Sequence, residues 1–266
     1  EEKTKQLKKL VTPFILRRNK KEVLTELPDK IEQNMILPFN DEEEKIYVAN
    51  LAKANKKLQE LYDIEGSDKM QILKLLTRLR QLCLEPRLVY DNIDQPSSKL
   101  KACMELIKTM QENKQKVLLF SSFTSVLDLI AEECQKAGIT YYMLTGSTNK
   151  EDRRELVSRF QKDDTTLFLI SLKAGGTGLN LTSAEVVIHF DPWWNVSAQN
   201  QATDRAYRIG QKNNVQVFNL VMKDSVEEKI IELQKRKKEL ADMFVENNSG
   251  GLSQMSKEDI LSLFTM

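Results

Sequence analysis

The chain has 266 residues, 41% of them hydrophobic and 30% charged, with a net charge of +1. That is enough apolar material for one large domain or two modest ones, and too little net charge for bulk attraction to nucleic acid, so any basic surface must be local. Three scattered cysteines (Cys83, Cys103, Cys134) and a lone His189 give no zinc spacing and read as a reduced, intracellular chain. No apolar run approaches the roughly 20 residues of a membrane span, and no signal peptide is visible. The chain opens Glu1-Glu2-Lys3 in a helical pattern without an initiating Met, which suggests a piece of a longer protein.

Residues 1–39 begin basic, with Lys3, Lys5, Lys8, Lys9, Arg17, Arg18, Lys20 and Lys21. They read either as a solvated helix and loop or, because Val11 to Leu16 adjoin Arg17-Arg18, as a docked phosphate-facing segment. Leu27-Pro28 breaks the helix, and Ile31 to Phe39 reads as a short strand or connector. Asp41 with Glu44 forms a capping box that opens a helix with Tyr47, Leu51, Ala54, Leu58 and Leu61 on one face. Gly66-Ser67-Asp68 starts a second helix, through Met70, Leu73, Leu76 and Cys83, and Pro86 stops it. Residues 40–96 are thus a helical block closed by Pro96-Ser97-Ser98.

Strands and helices then alternate over 97–224. Val117–Phe120 is a continuous apolar run, as expected of a strand buried on both faces. Helices are expected over 99–113, 125–137 (closed by Gly138), 148–160 (capped by Thr148 with Glu151) and 197–207. Further strands are expected over 140–144, 165–170, 186–190 and 215–221. Alternation of this kind predicts an α/β fold with a parallel sheet, whose ligands lie at the carboxyl ends of its strands. Ser225 with Glu228 opens a last helix, over 225–246, and 247–266 is a mostly polar tail.

Four loops follow predicted strands: Phe120-Ser-Ser-Phe-Thr124, Leu144-Thr-Gly-Ser-Thr148, Ser171-Leu-Lys-Ala-Gly-Gly-Thr-Gly178 and Asp191-Pro-Trp-Trp-Asn195. Their hydroxyls, glycines and amides serve equally as helix caps or as a sugar-phosphate track. On the second reading the contacts would be Ser121, Ser122, Thr145, Gly146, Ser147, Lys173, Trp194 and Asn195. One of Trp193 and Trp194 is expected in the core, the other free to stack, and pattern does not decide which. The glycine loop is neither a phosphate-binding P-loop nor a dinucleotide fingerprint, since no Gly-Lys-Ser/Thr follows and Leu181 replaces the third glycine. It reads as a tight turn or as a place of close ligand approach. His189 reads as packed.

In Gln201-Ala-Thr-Asp-Arg-Ala-Tyr-Arg-Ile-Gly-Gln211, Arg205 and Arg208 stand three apart, hence on one helical face, near Gln201 and Asp204. Two such guanidiniums suit a polyanion such as a nucleoside triphosphate, or surface ion pairs with Asp204 or Glu227.

This stretch resembles the last helicase motif of the SWI/SNF-type ATPases, double-stranded-DNA translocases of helicase superfamily two. Lys173-Ala-Gly-Gly-Thr-Gly-Leu-Asn-Leu181, Asp191-Pro-Trp-Trp-Asn195, Leu144-Thr-Gly-Ser-Thr148 and Leu10-Val-Thr-Pro-Phe-Ile-Leu-Arg-Arg18 are similar to further motifs of that family. The resemblance implies a RecA-like second motor lobe over 97–224. It also implies a lead-in from a first lobe over 1–39, a helical insertion over 40–96 and a bracing helix over 225–246. Arg205 and Arg208 would be arginine fingers toward the γ-phosphate of ATP, with Gly176, Gly178, Gln201 and Asp204 beside the nucleotide. The rim loops would follow one strand of double-stranded DNA. ATP and Mg²⁺ would be held mainly by the first lobe, because this chain has no Gly-Lys-Thr loop and no Asp-Glu-x-His motif. The expected partners are that first lobe, duplex DNA and a DNA-bound protein complex. Departures at Thr203, Val196 and Tyr207 remove no essential charge. A docking module without catalysis, or a nicotinamide-dependent oxidoreductase, are the competing readings, the latter disfavoured by the failed glycine fingerprint.

Overall fold

The computed structural model describes residues 27–62, 69–175, 178–243 and 261–264. Among them runs one six-stranded sheet, all parallel, in the order β1-β6-β5-β2-β4-β3. The strands are β1 (Lys30–Leu37), β2 (Val117–Ser121), β3 (Tyr141–Leu144), β4 (Leu167–Ser171), β5 (Val186–His189) and β6 (Val215–Met222). The helices are α1 (Asp41–Tyr62), α2 (Lys69–Leu84), α3 (Ser98–Glu112), α4 (Thr124–Lys136), α5 (Lys150–Lys162), α6 (Leu172–Gly175), α7 (Val196–Thr203) and α8 (Val226–Met243).

The three central strands carry no exposed residue, which is why their sequences run apolar without alternation. Successive side chains still point to opposite faces. Val117, Leu119, Leu167, Leu169, Val186 and Ile188 meet Leu100, Cys103, Ile107, Leu127, Ile130 and Cys134 of α3 and α4. Leu118, Phe120, Phe168, Ile170 and Val187 meet Phe160 of α5 together with Leu179, Leu181, Ala202, Ala206 and Tyr207. A third core joins α1 and α2 to α8: Tyr47, Leu51, Leu58, Leu76, Leu79 and Cys83 pack on Val226, Ile230, Leu233 and the short segment Leu263-Phe264.

Of the two readings of Ile31 to Phe39, the structure takes the strand: β1 is an eight-residue edge strand in register with β6 from Lys30–Val215 to Leu37–Met222. The caps shift by one residue. Asn40, not Asp41, caps α1, its carboxamide oxygen accepting from the amides of Glu42 (3.0 Å) and Glu43 (2.9 Å) while Glu43 returns a bond to the Asn40 amide. Asn149, not Thr148, caps α5, accepting from the Asp152 amide at 2.8 Å. Thr148 instead accepts from the Thr145 amide and closes the preceding turn. Asparagine and threonine or aspartate are near-equivalent caps, so adjacent candidates are separated only by the chain path.

Lys99 of α3 and Glu227 of α8 form an ion pair closed to solvent, with Nζ 2.7 Å from both carboxylate oxygens. Glu227 also accepts from the Met222 amide at 2.8 Å, and the Lys99 ammonium lies 5.3 Å from the centre of the Phe190 ring. Beside it the Tyr47 hydroxyl, its pKa pushed upward by burial, accepts from the Val226 amide. Removing one member of such a pair leaves a buried charge uncompensated, which costs roughly 3–5 kcal/mol. Glu227→Ala is expected to lower unfolding stability by roughly that amount in urea titration, whereas Lys99→Met with Glu227→Leu should be near neutral. Equal losses in the two variants would contradict the role given to the pair between α3 and α8.

Candidate functional site: the carboxyl-end rim of the sheet

Because every strand is parallel, the loops after β2, β3, β4 and β5 emerge at one edge. β2 is flanked by β5 on one side and β4 on the other, so neighbouring loops diverge there, as at the switch points beside which ligands of open α/β sheets sit.

The loops after β2 and β5 are bound together by Asp191. Its Oδ1 accepts from the Ser121 hydroxyl (2.7 Å) and the Ser122 amide (3.0 Å), and its Oδ2 from Arg80 Nη2 (2.8 Å) and the Ser122 hydroxyl. Ser121 is fully buried and also accepts from the Phe123 amide. This corrects the expectation that Ser121 contacts DNA: its hydroxyl is enclosed and already bonded. Ser122 is half-buried. Arg80 and Asp191 were not legible as site residues, since they meet across 111 positions of sequence.

Neither tryptophan is wholly core or free. Both are half-buried, Trp193 against the core that includes Phe160 and Phe168 and Trp194 against the core shared by α1, α2 and α8. The Trp193 backbone is held by Gln199, which accepts from its amide at 3.3 Å, and by the Gln234 carboxamide, which donates to its carbonyl. Asn195 is half-buried and caps α7 by accepting from the amides of Ser197 (2.9 Å) and Ala198 (3.3 Å). The more open residues of the rim are Gly146, Ser147 and Lys173, all exposed, with Thr145 half-buried behind them and its hydroxyl 2.8 Å from that of Ser147.

The segment after the glycine loop, which runs from the rim back to the start of β5, meets the arginine-bearing segment. Gly176 lies outside the described residues; Gly178 is exposed with φ +45°, a conformation that favours glycine. The Leu181 amide donates to the Arg205 carbonyl (3.0 Å), and Gln211 donates to the carbonyls of Ala184 (2.8 Å) and Ala206 (3.2 Å). The helical face expected for Arg205 and Arg208 is corrected. α7 ends at Thr203, and the chain continues in tight turns, Arg205 to Ala202, Ala206 to Thr203 and Arg208 to Ala206. Burial of Ala206 and Tyr207 in the lobe core draws the segment inward there. The two guanidiniums remain electrostatically coupled: burial and then the charge of Arg208 push the Arg205 pKa down, with Asp204 opposing. Arg205 and Asp204 are half-buried, whereas Gln201, Arg208 and Ile209 are exposed, Ile209 to 70%.

Between α5 and the glycine loop lies an open cleft of about 650 Å³, lined by Lys150, Arg153 and Arg154 on one wall and Gly178, Leu179 and Asn180 on the other. Its three basic residues carried no recognisable signal, being a mixed-charge helix start in the sequence. Among the described residues no group of three or more His, Cys, Asp and Glu is placed to hold a metal ion, and no helix is long and apolar enough to cross a membrane.

Residues 98–210 match the helicase conserved C-terminal domain, and residues 1–88 match the SNF2-related domain. Over 99% of its length the chain is 38% identical to an uncharacterized ATP-dependent helicase of Mycoplasma pneumoniae, of which it covers 26%. It is 34% identical over 97% of its length to the ISWI chromatin-remodeling complex ATPase of Saccharomyces cerevisiae, of which it covers 24%. The SWI2/SNF2 ATPase core of Sulfolobus solfataricus in complex with double-stranded DNA superposes with a TM-score of 0.73 at 31% identity, over 97% of this chain and 55% of that one. The chain thus spans about a quarter of the length of the curated relatives it matches.

His189, on β5 beneath the rim, is packed as expected: buried, stacked on Phe120, with Nε2 2.9 Å from the Thr203 hydroxyl oxygen. Burial pushes its pKa down from 6.5 to about 4. The unfolded chain takes up a proton below about 6.5 and the folded imidazole resists until about 4, so this contribution is complete above that window and lost as pH falls through it. Folding stability is expected to fall by roughly 2 kcal/mol from pH 7 to pH 5 through this group alone. His189→Gln should flatten that part of the urea-midpoint profile; parallel profiles for the two proteins would contradict the assignment.

Proposed function

We propose, from the premise that the chain belongs to the SNF2-related, SWI/SNF-type ATPase family, that it is the second motor lobe of an ATP-dependent translocase on double-stranded DNA. In this reading 1–39 lead in from a first lobe and 40–96 are an insertion. Residues 97–224 are the RecA-like lobe, 225–246 the brace and 247–266 a tail. The first lobe holds ATP and Mg²⁺, and this chain alone turns over ATP negligibly. The protein works inside the cell on DNA, with a DNA-bound protein complex as its further partner.

The observation that carries the reading is the joining of the segment after the glycine loop to the arginine turn: the Leu181 amide donates to the Arg205 carbonyl, and Gln211 donates to the carbonyls of Ala184 and Ala206. A nucleotide between lobes needs cationic donors that are fixed before it arrives, since donors already in place cost no reorganisation when charge develops. Arg205, half-buried and backed by the loop, meets that need, and Arg208 stands exposed beside it. Ile209, exposed next to them, offers an apolar contact to the facing lobe. The guanidiniums would stabilise charge on the equatorial oxygens of the transferred phosphoryl group, an effect worth about 10³ to 10⁵ in rate. Gln201, Asp204, Gly176 and Gly178 would border the nucleotide.

The exposed Gly146, Ser147 and Lys173, with Ser122, Thr145, Trp194 and Asn195 behind them, would meet the backbone of one DNA strand. Hydroxyls, amides and one lysine suit phosphates without reading bases. Lys150, Arg153 and Arg154 add positive charge to the same flank. Closure of the lobes around ATP brings the arginines to the γ-phosphate, and hydrolysis releases them, so that the rim advances.

Arg205→Ala in the two-lobe protein is expected to lower DNA-stimulated ATP turnover by about 10³ or more, with duplex affinity changed by less than about twofold. Turnover near that of the parent protein would remove the finger role.

A further inference from the structure

The helical insertion reaches into the rim through the charged side chain of Arg80. Arg80, on α2, is 8% exposed and enters a box made by both strand-end loops. Its Nη2 donates to Asp191 Oδ2 (2.8 Å), to the Ser122 hydroxyl (3.0 Å) and to the Pro192 carbonyl (3.3 Å). Its guanidinium carbon lies 5.0 Å from the ring centre of Phe123, 5.6 Å from that of Trp194 and 6.0 Å from that of Trp193. Asp191 is itself 1% exposed, so the pair is buried from both sides. The remaining face of α2 is anchored elsewhere, through Leu76, Leu79 and Cys83 in the core shared with α8.

We infer that Arg80 is a positioning residue for DNA contact. It fixes the loops after β2 and β5 relative to each other and to the insertion, and touches no phosphate itself. The chemistry of guanidinium suits this role. It is planar, permanently charged and able both to stack on aromatic faces and to donate several bonds in a fixed fork, none of which an ammonium can combine. A buried charge so enclosed contributes little net stability over an apolar substitute. What it supplies is geometry: one group satisfies a carboxylate, a hydroxyl, a carbonyl and three rings that belong to two loops. The exposed rim would then inherit its shape from the insertion, and the insertion, through α8, from the brace. This rests on the DNA-tracking reading of the rim.

The chain contains only two tryptophans, and both border Arg80, so their emission reports the clamp directly. The test measures tryptophan emission and the affinity of a fluorescein-labelled DNA duplex over a salt series, for the 266-residue chain and its Arg80→Ala and Arg80→Lys variants. Arg80→Ala is expected to shift the emission and weaken duplex binding about tenfold, with the salt slope unchanged because no phosphate contact is lost. Arg80→Lys should not restore affinity, since charge alone is not what positions the loops. Should Arg80→Ala not fold, Arg80→Met with Asp191→Asn removes both buried charges together and carries the same expectation.

A folded variant with parental duplex affinity would make Arg80 purely structural and overturn the inference. A reduced salt slope would make it a direct phosphate contact, and would overturn it equally. If the parent chain itself binds no duplex, the tracking reading of the rim fails and this inference with it.

Discussion

A strand packed on both faces has no side chain left for chemistry. β2, β4 and β5 fill two cores with alternate residues. Gln201, Asp204, Arg205 and Arg208 lie on α7 and in the turns after it, whereas the rim candidates lie at the carboxyl ends of the strands or in the loops beyond them. Parallel pairing then places those loops on one edge, because all strands end in the same direction. The rim is a consequence of that single constraint. Short connections keep it compact: α6 follows β4 without a break, and only a few residues separate β5 from α7.

Two buried ion pairs tie the peripheral helices to this edge. Lys99–Glu227 joins α3 to α8, and Arg80–Asp191 joins α2 to the loops after β2 and β5. Desolvation makes such pairs poor sources of net stability, but their loss is costly and their geometry is narrow. An apolar interface would hold α2 and α8 against the lobe with some freedom to slide. Fixed charge pairs allow one seating. The helices α1 and α2, the last helix α8 and the rim are in this sense tied together, although the apolar cores are separate.

Much of this was legible in the sequence because it is local. The apolar run Val117–Phe120 and the Gly138 cap (φ +67°) both follow from near neighbours. The turn of the chain at Thr203 did not, since it depends on Ala206 and Tyr207 finding the lobe core and on Thr203 meeting His189. The caps at Asn40 and Asn149 were misplaced by one residue for the same reason: a neighbouring candidate of equal propensity lost to chain direction. Arg80 gave no signal in the sequence, and Ser121 read as a contact on the sugar-phosphate track. Only the fold brings them to Asp191, and it removes Ser121 from solvent as it does so. Strong local signals located the rim; long-range contacts decided which of its residues face outward.

The claim on which the account turns is that the exposed rim, with Lys173 at its surface, meets the phosphates of duplex DNA. The direct measurement is the salt dependence of duplex binding by this chain with and without Lys173→Ala. The account predicts that log affinity falls linearly with log salt and that the variant's slope is shallower by about one phosphate contact. A salt-independent affinity, or identical slopes for the two proteins, would contradict it.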